Sequence, residues 1–315
     1  MEPLFMIILL VTGIFVGLFA GLLGIGGFFI MIPIQYWILT AMGIDPTIAI
    51  RVAFGTNLMV VLPTILSGVL KHHKKGIVLW NQAITLGVIG VIGGFGGAYV
   101  ASYLSGTILK TMFGLTMLIG ALRMITAKPI RVEGEPNKNT LTYIFLGIII
   151  GFVTGLIGIG GGVLVIPIML IFLNFNMHEA IGTSSAMIMF TSLGAGLAYM
   201  LLGLGQAGLP PYSIGYFNIL QWGLLAATSI PMARFGAHFA HKIPAKSLMT
   251  LFIAIMAYGL KNDWHIFLAW ITIITQKISK IIKFTFFSLK NLFRLNFKIF
   301  FKTPTKLWIG YFLKY

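Results

Sequence analysis

Apolar residues run along this chain in long stretches that are apolar on every face, cut at intervals by short polar or charged clusters. No charged residue falls between Glu2 and Asp45, between Lys138 and Glu179, or between Glu179 and Arg234. Each gap exceeds the roughly 20 apolar residues that one membrane-spanning helix needs, so several gaps hold more than one crossing. A membrane barrel would read as segments of about 10 residues with alternating polarity, and that alternation is missing. Residues 4–42 form one apolar stretch broken near its middle by Gly24-Ile25-Gly26-Gly27, and Arg51 to Leu70 makes the next span. A basic connection, Lys71-His72-His73-Lys74-Lys75, leads to spans over 77–103 and 108–126. The polar stretch after them, with Pro129, Gly134 and Pro136, reads as a central linker, 127–140.

After the linker the plan repeats. Gly17 to Ile34, GLFAGLLGIGGFFIMIPI, aligns without a gap to Gly151 to Ile168, GFVTGLIGIGGGVLVIPI, with 10 of 18 positions identical. Gly55-Thr56-Asn57 in the next span matches Gly182-Thr183-Ser184-Ser185, and Gly97-Ala98 matches Gly236-Ala237. The pattern predicts an all-α integral membrane protein, a polytopic helical bundle of about 8–9 transmembrane segments built from two internal repeats, each with a glycine-broken helix. The first repeat spans 4–126, the second 141–260, and a basic tail covers 261–315. Duplicated halves are a recurrent build of secondary transporters, with substrate at the repeat interface. Lysine-bearing connections favour the cytoplasm, which puts 71–75, 127–140 and 241–246 inside. That arrangement requires each broken stretch to enter and leave on one side, which makes the repeats inverted. If the stretch crosses once, they are parallel.

Composition agrees with the pattern: 58% hydrophobic, 9% charged, and a mean hydropathy of +0.99, outside the soluble range. The N-terminus, Met1-Glu2-Pro3, lacks the basic region of a secretory signal, so the first span is expected to be retained. With no cysteine, disulfides and thiolate metal sites are excluded. The formal charge of +16 sits in connections and the tail, where attraction to the membrane surface explains it without nucleic acid. Zinc-protease, paired-acid and nucleophile-elbow motifs are absent, so no enzyme and no cofactor is expected.

The breaks carry the candidate chemistry. Glycines weaken a helix by about 1 kcal/mol each relative to alanine, and non-helical backbone at membrane depth survives only where protein buries it or it lines a cavity. A helix restarting after Gly27 or Gly161 presents free N–H groups and a partial positive charge, an anion site without a charged side chain. The candidate substrate-binding residues are therefore Gly24, Gly26 and Gly27 in the first copy and Gly158, Gly160 and Gly161 in the second. Thr56, Asn57, Thr183 and Ser184, in the spans after the breaks, can hydrogen-bond an anion's oxygens. Close helix packing through glycine and ordinary interhelical hydrogen bonds are the competing readings; Gly13, outside the motif, serves as the reference position. Arg51, Arg123 and Arg234 lie near span ends, where snorkelling is the default. His72 and His73 are expected in solvent, and Asp45 and Glu179 at helix N-termini, with proton coupling as their minor alternative.

Two copies of a GLLGIGGG-like motif, each followed by a proline (Pro33, Pro167) and by a Thr-Ser-type step in the next span, resemble the TauE/SafE sulfite exporter family over about residues 5–260. The resemblance implies a permease of the cell (inner) membrane for small anions such as sulfite or sulfonates, driven by an ion gradient. The coupling ion is not legible, a proton being one candidate. Phe28 against Gly162, and Asn57 against Ser184, make the two half-sites unequal. The competing function is a membrane scaffold whose glycines serve packing alone. The tail holds 10 of the 22 basic residues; it reads either as an interfacial basic helix or as a frameshifted extension.

Overall fold

A computed structural model of the chain describes residues 2–23, 28–74, 76, 78–126, 139–160, 165, 168–169, 172–175 and 177–239. The chain divides into units Met1–Met256 and Ala257–Tyr315. The second unit, and with it all of the basic tail, lies outside the described residues, as do Gly24, Gly26, Gly27 and Gly161.

Among the described residues the first unit is helical apart from one hairpin: α1 (Pro3–Leu23), α2 (Phe28–Ala41), α3 (Pro46–Lys74), α4 (Trp80–Tyr103), α5 (Gly106–Thr126), α6 (Thr140–Ile157), α7 (Met177–Leu202), β1 (Ser213–Ile214), β2 (Phe217–Asn218) and α8 (Ile219–Phe239). Short polar side chains start the helices by taking up their free N–H groups. The Asp45 carboxylate accepts from Thr47 N at 2.8 Å and Ile48 N at 3.2 Å ahead of α3, with Pro46 preset for the first helical position. Asn139 accepts from Leu141 N at 3.0 Å before α6, and Asn218 from Gln221 N at 2.9 Å before α8.

Among the described residues, five helices, α1, α3, α4, α6 and α7, are long and apolar enough to cross a membrane. At 1.5 Å per residue α5 and α8, of 21 residues each, reach about 32 Å, the thickness of a hydrocarbon core. The outer faces carry exposed Ile7, Ile92, Phe145 and Leu201, a surface that lipid accepts and water does not. The chain is a multi-pass membrane protein.

The register of the contacts fixes the direction of every helix. Phe5 meets Trp37 edge to face at 5.8 Å, so α2 returns along α1. Thr56 with Asn218, Met59 with Trp222 and Thr64 with Ser229 advance together, so α3 and α8 are parallel. Gly13 lies on Leu225 and Gly17 on Ser229, which makes α1 parallel to α8 as well. Gly55 lies against Tyr199 and Gly196 against Met59, so α3 and α7 are antiparallel. Gly87 meets Phe190 and Gly94 meets Ala195, while Gly90 meets Gly151 and Gly155 meets Gly94; α4, α6 and α7 therefore share one direction. Phe54 stacks on Phe113 at 6.2 Å and Thr47 lies on Gly106, which aligns α5 with α3. Thus α1, α3, α5 and α8 point one way and α2, α4, α6 and α7 the other. The ends at Lys74, Trp80, Thr126, Thr140 and Phe239 all lie on one side, and the hairpin lies on the opposite side.

Two seams join these helices through glycine, as close helix contacts in membranes do. In one, Gly147, Gly151 and Gly155 of α6 ride on Leu86, Gly90 and Gly94 of α4. In the other, Gly13 and Gly17 of α1 ride on Leu225, Thr228 and Ser229 of α8. Gly13 is therefore no neutral reference: a side chain there would overlap Thr228 Oγ1 and stand 2.7 Å from Leu225 O. Gly96, whose added Cβ would meet nothing nearer than Phe152 at 3.9 Å, takes its place.

Candidate functional site

The second break is described on its incoming side. Helix α6 ends at Gly158, in the left-handed region at φ +72°, and Gly160 follows at φ +75°, a conformation glycine adopts without strain. Gly158 N returns to Thr154 O at 2.9 Å. The carbonyls freed by the break are taken up from neighbouring spans. Asn57 Nδ2 donates to Gly158 O at 2.6 Å and Tyr199 Oη donates to Gly155 O at 3.0 Å. Phe54 packs directly on Gly158, and its ring lies 6.4 Å from that of Tyr199. Asn57 is eleven residues into α3, so the break lies about 16 Å along that helix from its hairpin-side end, at membrane depth.

Gly160 faces the crossing of α3 and α7. A Cβ built there would lie 3.4 Å from Val61 Cγ1, 3.5 Å from Ile188 Cγ2 and 3.5 Å from Ser192 Oγ. Three buried oxygens around this segment have no hydrogen-bond partner among the described residues: Asn57 Oδ1, Ser192 Oγ and Thr154 Oγ1. Asn57 and Ser192 are fully buried and Thr154 is 1% exposed. Buried polar atoms nearly always find a partner in protein, ordered water or a bound group, so these three are the polar atoms of the segment still open to one.

The threonines of the two motifs have equivalent partners. Thr56 Oγ1 accepts from Asn218 N at 2.9 Å, the residue before α8; Thr183 Oγ1 accepts from Leu79 N at 3.1 Å, the residue before α4. Eight residues further along each span the pairing recurs in kind: Thr64 Oγ1 bonds Ser229 Oγ at 2.9 Å, and Thr191 packs on Gly90. Thr56 and Thr183 thus each satisfy a backbone N–H of the residue just before a helix that crosses their own.

Of the residues singled out in the sequence, Asn57, Gly158 and Gly160 come together here. Thr56 and Thr183 are fully buried but committed as acceptors to Asn218 and Leu79; Ser184 is buried one position on from Thr183. The Asn57 amide, read as a donor to substrate, gives one of its two N–H groups to Gly158 O, because a helix end inside the membrane has no water to serve it. Arg51 is held by the protein. Its Nη1 donates to Tyr216 Oη at 3.1 Å and its Nη2 to Leu104 O at 3.0 Å, with the guanidinium 5.7 Å from the Tyr216 ring centre. It ties α3 to the end of α4 and to the hairpin. Arg234 is exposed near the end of α8, and the Arg123 side chain lies outside what is described. His73 is exposed, accepting from Trp80 Nε1 at 2.9 Å.

Sequence reading missed Ser192, Thr154 and Tyr199, single polar groups inside apolar runs that no motif flags. It also missed Gln35 and Gln221, fully buried amides with no partner on either atom. Among the described residues no group of histidine, aspartate and glutamate could hold a metal ion.

Comparison with known proteins bears on the whole unit. The profile of the sulfite exporter TauE/SafE family matches residues 9–260. A probable membrane transporter protein of Methanocaldococcus jannaschii is 31% identical over 250 residues, covering 79% of this chain and 91% of that protein. Another, of Haemophilus influenzae, is 25% identical over 259 residues, covering 81% and 98%. No solved structure matches the chain. The chain therefore belongs to the TauE/SafE sulfite exporter family and is a membrane transporter of that family.

Proposed function

We propose that the protein is a secondary transporter of the cell (inner) membrane for small anions, sulfite, sulfonates or related sulfur-containing or organic anions, built from inverted repeats over 4–126 and 141–260. The observation that carries this reading is the doubled set of contacts. Thr56 with Asn218 and Thr183 with Leu79, and the α1/α8 seam with the α4/α6 seam, are the same contacts made once from each half. The opposed directions of α3 and α7, and of α1 and α6, are what inversion requires. Inverted halves meeting at broken helices are the build that supports alternating access around a central site. The anion is held by the N–H groups of the restarting helices, after Gly27 and after Gly161, where the helix dipole favours negative charge. With about 8–9 spans, the linker 127–140 and the connection 71–75 face the cytoplasm.

Two expected outcomes test this. The chain has no native cysteine, so single cysteines report topology cleanly. A cysteine at His73 should react with an impermeant reagent only from the cytoplasmic side, and one at Gln206, exposed beyond α7, only from outside. Reaction of both from one side would end the inverted arrangement. In proteoliposomes, uptake measured against sulfite, sulfate, sulfonates and carboxylates should give saturable flux for some anions. A flat panel would favour the scaffold, the reading in which the glycine seams serve packing alone.

A further inference from the structure

The two sides of the second break have opposite electrical character. The restarting side is the proposed anion position, but the incoming side is the C-terminal end of α6, where the helix dipole is negative and carbonyl oxygens, each with a second lone pair beyond the bond it already accepts, gather. Among the described residues, the polar atoms beside it without a partner are neutral oxygens. Asn57 turns its Nδ2 to Gly158 O at 2.6 Å, so Oδ1, a pure acceptor, is the atom left over. Ser192 Oγ faces Gly160 from α7, and Thr154 Oγ1 stands on the last turn of α6, whose main-chain carbonyl accepts from Gly158 N. An anion here would face an orphaned amide oxygen and a helix C-terminus together. A cation satisfies all of them.

We propose that Asn57 Oδ1, Ser192 Oγ and Thr154 Oγ1, with carbonyls of the Gly158–Gly160 turn, form a sodium site that couples cation entry to anion transport. This rests on the transporter reading above. Sodium fits better than the alternatives. A divalent ion is held by carboxylates among its oxygen ligands, and a proton needs a titratable side chain. The acidic residues among those described are Glu2, Asp45 and Glu179. The Asp45 carboxylate caps α3, about 18 Å along the helix from Asn57, and Glu179 in the first turn of α7 is about 13 Å along it from Ile188. Unwound carbonyls and half-helix C-termini are the recurrent sodium ligands of broken-helix transporters. If the two sites are coupled, each ion raises the affinity for the other by the same factor.

The test uses purified full-length protein in detergent, melted in sodium chloride titrated against choline chloride at constant ionic strength, with potassium chloride in parallel. The melting temperature should rise with sodium and saturate, with little response to potassium. Ser192→Ala and Thr154→Val should each move the midpoint of the sodium response up by about tenfold or more, the factor that corresponds to one lost ligand of about 1.4 kcal/mol. Ser192→Thr, which keeps the hydroxyl, should retain most of the response, and Thr154→Val keeps its shape should Ser192→Ala fold poorly. Equal melting in sodium and choline would overturn the site, as would a sodium response unchanged in both variants. The transport reading fails separately: anion flux that ignores sodium removes the site and leaves the transporter. Sodium stabilisation without flux for any anion leaves the site and removes anion transport.

Discussion

Replacing Gly151 or Gly155 by alanine is expected to cost most of the folded protein. A Cβ at Gly151 would stand 2.8 Å from both the carbonyl carbon and the Cα of Gly90, and one at Gly155 would stand 2.8 Å from the carbonyl carbon of Gly94 and 2.9 Å from Ala98 N. These neighbours are backbone, so no rotamer can relieve the overlap and α4 and α6 must separate along their length. Overpacking a tight core typically costs about 1–3 kcal/mol, and here the whole seam shares the displacement. In lipid there is no hydrophobic force to hold the parted helices together, since association rests on the packing itself. Gly96→Ala, on the partner helix α4 but with open space around it, should melt at or above the parent temperature, because alanine is favoured in a helix by about 1 kcal/mol. Yield and thermal melting in detergent decide it: equal stability of all three variants would mean that the seam is not close-packed.

Much of this architecture was legible because membrane helices announce themselves by length of apolar run, and α1, α3, α4 and α6 begin and end near where the punctuation put them. Asp45 and Asn139 act as the caps that short polar residues before apolar runs imply. At the two motif threonines a sequence shows a hydroxyl in an apolar span and not the N–H of Leu79 or Asn218 that lies against it. Asn57 was read as a donor to substrate for the same reason, since its partner, Gly158 O, is a hundred and one residues away. Ser192 and Thr154 were invisible because one hydroxyl in a long apolar helix usually bonds its own preceding turn, as Thr12 does to Ile8 O at 2.7 Å. Only three-dimensional accounting reveals that these two do not. The Gly13 reference failed because the sequence cannot tell a glycine at a helix crossing from one facing lipid.

The central claim is that the break is a binding site and not a packing device, and Gly160 is the position that separates the two. Gly158 cannot serve, because a side chain there combines φ +72° with a 2.6 Å approach to Phe54 Cβ. At Gly160 an alanine costs about 1–2 kcal/mol for its left-handed backbone, while its Cβ meets Val61, Ile188 and Ser192 at ordinary contact distances of 3.4–3.5 Å. The variant should therefore fold, with a methyl group standing where ions are proposed to pass. The measurement is anion flux per folded molecule for Gly160→Ala beside Gly96→Ala, with folding followed by thermal melting. The account predicts a fall in flux of about tenfold or more, the factor that 1.4 kcal/mol represents, in a protein that melts only slightly lower. Normal turnover in well-folded Gly160→Ala would contradict it.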